Sequence, residues 1–69
     1  MFKCNGFSLT LAELDEAREW LLELDGSQFR MDDQAEYVEM IQGLSARGIY
    51  NSIARHYDGG WATFLAVIA

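Results

Sequence analysis

The sequence predicts an all-α protein, a compact bundle of three to four short helices, and three observations carry that expectation. Helix-start signals recur at Thr10, Asp33 and Ser45, each ahead of apolar residues at helical spacing. No proline interrupts the chain, and the stretches between these segments are short. The strongest hairpin signal, Asn5-Gly6, lies in the first ten residues, outside the predicted helices.

The elements follow in order. In "FKCNGFSL", residues 2 to 9, Asn5-Gly6 separates two short arms that contain apolar residues. This predicts a turn that folds Phe2 and Phe7 onto the helices, with a minor two-stranded N-terminal β-ribbon as the alternative. Thr10 followed three residues on by Glu13 has the form of a capping box, so a first helix spans 11–24. Asp25-Gly26 then offers glycine for a left-handed exit. "SQFRM" leads to a second start at Asp32 or Asp33, where Asp33 and Glu36 repeat the cap spacing. The second helix, 33–43, carries Tyr37, Met40, Ile41 and Leu44 on one stripe. Ser45 caps a third, 46–57, with Ile49, Tyr50, Ile53, Ala54 and Tyr57 aligned. Asp58-Gly59-Gly60 makes a tight break, and Trp61, Phe64, Leu65 and Ile68 predict a last short helix over 60–68. A strand pairing the two chain ends is the alternative for that segment, because Thr, Phe, Val and Ile also favour strands.

Sixty-nine residues make one small domain, which buries roughly 60% of the surface that its unfolded form exposes. There is little room for a deep cleft. The single cysteine, Cys4, excludes an internal disulfide and reads as a small, semi-buried thiol. With no secretory pattern at the N-terminus, the expected setting is the reducing cytoplasm. The apolar run "WATFLAVIA" falls far short of the roughly 20 residues of a membrane span, so no membrane contact is expected.

The net charge of −6 is unevenly spread: residues 13–39 hold ten acids against Arg18 and Arg30. Such a field opposes direct nucleic-acid binding and favours a basic partner. Paired carboxylates are plentiful but sit on what read as solvated helix faces, so no catalytic residue is expected. An EF-hand over residues 25–36 fails because Phe29 and Arg30 occupy positions that need a side-chain oxygen and a glycine. One histidine and one cysteine support neither a multi-His or multi-Cys zinc site nor a Cys-His pair set by local spacing, and no cofactor or metal is expected. His56 instead favours the C-terminus of the third helix. Helices two and three have the lengths of a helix-turn-helix whose reading helix would present Arg47, Asn51, Ser52 and Arg55.

One stretch breaks the amphipathic pattern. On a helical wheel with Glu16 at zero, Glu13, Glu19 and Glu23 fall within about 60° of it, and Trp20 lies among them at about 40°. The apolar set Leu11, Leu14, Ala17, Leu21 and Leu24 centres near about 140°, with Arg18 beside it at about 200°. Arg18 is expected to lay its stem along the leucines and reach Asp15 or an acid on the second helix. Trp20 has two readings: it is covered by the N-terminal turn or the Trp61 segment, or it stays partly exposed as an aromatic anchor in an acidic ring.

The ending "RHYDGGWATFL", residues 55–65, resembles the C-terminal pattern His-Tyr-x-Gly-Gly-Trp-x-x-Phe of small phage and prophage proteins. Size, acidity and the lack of catalytic residues also resemble the anti-CRISPR proteins, phage inhibitors that bind CRISPR effector complexes. That resemblance implies a non-enzymatic inhibitor in the host bacterial cytoplasm. Its acids, by imitating phosphates, would block nucleic-acid binding on a basic surface of such a complex. The candidate partner-binding residues are Glu13, Glu16, Glu19, Trp20, Glu23, Asp32, Asp33, Glu36 and Glu39. The chain is expected to be a monomer or homodimer. A helix-turn-helix DNA-binding regulator and a self-associating phage structural protein, joined through Trp20 and Trp61, are the alternatives.

Overall fold

A computed structural model describes residues 1–69. Its elements run β1 (Phe2–Cys4), β2 (Phe7–Leu9), α1 (Leu11–Leu22), a 3-10 turn (Gly26–Phe29), α2 (Gln34–Gln42), α3 (Ala46–His56) and α4 (Gly60–Ile68). The protein is a helical bundle with a small antiparallel ribbon at its N-terminus.

The ribbon is realised rather than a simple turn. Asn5 and Gly6 both take positive φ, 49° and 85°, which is the two-residue hairpin geometry that matches strand twist. Phe2 pairs with Leu9, Lys3 with Ser8 and Cys4 with Phe7. Alternation then turns Phe2, Cys4, Phe7 and Leu9 inward and leaves Lys3 and Ser8 exposed. Phe2 and Phe7 both pack on Tyr50, at 6.2 and 6.3 Å between ring centroids, so the two phenylalanines do fold onto the helices.

The capping box forms as the sequence predicts. The Glu13 amide donates to Thr10 Oγ1 at 3.1 Å, and the Thr10 amide donates to Glu13 Oε1 at 2.8 Å. The far end of α1 differs from expectation, stopping at Leu22. Gly26 is not the left-handed exit. Asp25 accepts from the Ser27 amide and starts the 3-10 turn, and Arg30 closes that turn in the left-handed region at φ 59°. Glycine is needed at 26 for space, since a Cβ there would stand 2.9 Å from the Cβ of Tyr37. The Gln34 side chain fastens this corner, accepting from the Gly26 amide and donating to the Leu24 carbonyl.

Asp33 caps α2 by accepting from the amides of Ala35 and Glu36, and Ser45 caps α3 by accepting from Gly48. α4 is the helix over 60–68 that the sequence predicts, and the two chain ends do not pair as strands. α3 packs against α1 and α4, while α2 packs against α1 and the 3-10 turn. The core where they meet comprises Leu9, Leu14, Ala17, Leu21, Tyr37, Ile41, Ile49, Tyr50, Ile53, Trp61 and Phe64, and holds no charged side chain. No helix is long and apolar enough to cross a membrane.

Candidate functional site

The two residues that break the pattern of α1 leave the helix on opposite flanks. Arg18 faces α2, where its guanidinium donates to the carbonyls of Ile41, Gln42 and Leu44, the latter two at 2.9 Å. These hydrogen bonds to carbonyls in and just after the last turn of α2, and not one to Asp15 or an acid on α2, are what the guanidinium makes. The physical reason is that the last turn of a helix leaves carbonyls without amide partners at the negative end of its dipole. Tyr37 ties the same two helices again, its hydroxyl donating to the Leu21 carbonyl at 2.6 Å. Burial pushes the Tyr37 phenol above its ordinary pKa of 10.0.

Trp20 faces the other way. It is half-buried, and it meets Tyr57 edge-on at 4.9 Å. Tyr57 meets Phe64 at 5.1 Å, Phe64 meets Trp61 at 5.4 Å, and Trp61 stacks on Tyr50 at 5.7 Å. An aromatic ladder thus runs from Trp20 at the surface to the ribbon. Trp61 anchors its middle, donating from Nε1 to the Tyr50 carbonyl at 2.9 Å. The C-terminal segment covers one side of Trp20 and leaves the rest in a groove.

That groove, of about 170 Å³, lies between α1 and α4. Trp20, Tyr57, Phe64, Val67 and Ile68 make its apolar lining, and Glu16, Glu19 and Glu23 make its acidic rim. Val67 is 66% exposed. The rim carboxylates are all solvent-exposed, and no lysine or arginine lines the groove. Chemically it offers an apolar surface for a side chain to enter and three carboxylates for cations to meet.

The other predicted site residues lie elsewhere. Glu13 spends one carboxylate oxygen on the Thr10 amide, and Asp33 spends its carboxylate on the cap of α2. Asp32 is exposed just ahead of that cap. Glu36 and Glu39 are exposed on a shallow depression shared with Met40, Gly43 and Leu44. α2 occupies the Arg18 flank of α1, so the structure joins Glu16, Glu19, Trp20 and Glu23 in the groove and leaves the acids of α2 outside it.

Sequence reasoning assigned no binding role to Tyr57, Phe64, Val67 and Ile68. The signal that could have found them is the composition of α4, "GWATFLAVI", which has no charged residue although only Trp61 and Phe64 are buried. The segment "RHYDGGWATFL" builds much of this wall. Gly59 and Gly60 take φ of 88° and 66°, and a Cβ at Gly59 would overlap the Thr63 side chain. The chain reverses there and sets Phe64 against Tyr57. His56, in the last turn of α3, packs on Phe29 at 4.1 Å between ring centroids.

No protein-family model matches the chain, and none of the curated proteins or solved structures is significantly similar to it.

Proposed function

We propose that this chain is a non-enzymatic, phage-encoded inhibitor that binds a basic surface of a host nucleic-acid-handling complex. A CRISPR effector is the expected target, and the host cytoplasm the expected setting. The observation that supports this reading is the acid-rimmed groove: an aromatic floor centred on Trp20, three exposed carboxylates beside it, and no cation in its lining. A partner side chain entering the groove gains apolar burial, and the carboxylates steer basic surface towards it. Occupying a nucleic-acid channel requires negative charge where the phosphates would lie, and residues 13–39 carry it.

A helix-turn-helix reading finds less support. Arg47, Asn51 and Arg55 are exposed on α3, but Ser52 is half-buried. α2 packs on α1 and the 3-10 turn in place of making an extensive contact with α3.

The test is to express the chain in bacteria with active CRISPR systems of several types and to count phage plaques. Restored plaquing in at least one system is expected. It should be lost in Trp20→Ala and in the combined reversal of Glu16, Glu19 and Glu23 to lysine, each verified as folded by circular dichroism. Failure in every system, or a reversal variant as active as the parent, would overturn the proposal.

A further inference from the structure

We infer that the groove between α1 and α4 takes an amphipathic helix of the partner, one with an apolar face and a flank of lysine or arginine. This rests on the reading of the groove as the binding face and goes further by naming the form of what binds. Both walls are α-helices, so an extended peptide entering here meets no strand edge to add to. The chain's one sheet, the β1–β2 ribbon, does not line the groove. Recognition here must run through side chains, as it does when a helix lies in a groove.

Glu16, Glu19 and Glu23 stand at helical i, i+3 and i+7 positions and span about 10 Å along α1. A helix lying alongside presents residues at the same repeat, so one flank of lysine or arginine meets all three carboxylates. Its apolar face then lies over Trp20 and Val67, which is 66% exposed. Charge disfavours a second copy docked groove to groove. Two such grooves brought together would set one acidic rim against another, whereas a basic flank neutralises it.

The test uses labelled protein, nuclear magnetic resonance and two peptides of identical composition, rich in leucine and lysine and about as long as α1. One keeps leucines at helical spacing with lysines on one flank; the other is scrambled. The first is expected to shift the resonances of Glu16, Glu19, the Trp20 indole and Val67, with affinity falling roughly tenfold between about 0.05 and 0.3 M salt. The combined Glu16, Glu19 and Glu23 to lysine variant should lose it by about a hundredfold or more. The inference is overturned by equal binding of the scrambled peptide or by no shift with either. It is also overturned by concentration-dependent shifts at the same residues without peptide, which would assign the groove to a second copy. The plaque assay separates the two ideas: restored plaquing that needs Trp20, with no preference for the helical peptide, keeps the inhibitor and removes the helix. Selective peptide binding without any restored plaquing does the reverse.

Discussion

On one flank of α1, Arg18 closes the seam with α2 by donating to three carbonyls; on the other, Trp20 rests on Tyr57 and leaves a groove open against α4. Both side chains depart from the amphipathic pattern, yet only one is consumed by the fold. The difference is chemical. At and just past the end of α2 the carbonyls of Gln42 and Leu44 lack amide partners and that of Ile41 keeps a free lone pair beside the Leu44 amide, and a guanidinium can satisfy all three at once. An indole has one donor and a large apolar face, and the end of α3 offers it an aromatic ring without enclosing it. A polar seam is finished when its hydrogen bonds are made, whereas an apolar one can remain part-covered and still gain from further burial.

Opening the closed seam should cost the most. Arg18→Met keeps much of the apolar stem but removes the donors from Ile41, Gln42 and Leu44, and should cost about 3 kcal/mol by urea denaturation. A change near zero would show that water replaces the guanidinium without loss. Gly59→Ala attacks the open side, forcing a Cβ into Thr63 at positive φ, for about 2 kcal/mol. Hydrogen exchange should show its effect in α4 before α2; the reverse order would mean that the two flanks are not separable.

Next in size is the alkaline limit. The Tyr37 phenol has a folded pKa raised above 10.0, so its contribution is fully present below pH 10. Above pH 10 the unfolded chain gives up this proton first, and stability falls as pH rises towards the folded value. Tyr37→Phe should flatten that fall, measured as melting temperature between pH 9 and about 11. Trp20→Ala, at a half-buried site, should cost only about 1 kcal/mol, or about 4–8 °C in a domain this small. The smallest effect belongs to the rim, where changing Glu16, Glu19 and Glu23 to glutamine should move stability by no more than about 0.5 kcal/mol. A large loss there would make the carboxylates structural, and the contrast between fastened and free flank would fail.

Local chemistry made most of the fold legible. The caps at Thr10, Asp33 and Ser45 act within a turn of themselves, and helical spacing placed Leu14, Ala17, Leu21, Tyr37, Ile41, Ile49 and Ile53 in the core. The end of α1 departs from the sequence expectation because the need for glycine at 26 comes from Tyr37, eleven residues away, and not from backbone conformation. The candidate site was half legible: Glu16, Glu19, Trp20 and Glu23 share one stripe of α1, while Tyr57, Phe64, Val67 and Ile68 join them only through the reversal at Gly59-Gly60.

The helices, their starts and the acidic stripe around Trp20 are therefore written in the local sequence, because each depends on neighbours within one or two turns. Long-range packing alone sets Arg18 on the end of α2, keeps the acids of α2 outside the groove, and makes α4 its second wall. Those outcomes depend on which helix packs on which flank of α1, and contacts between residues far apart in the chain leave no period in the sequence from which to read them.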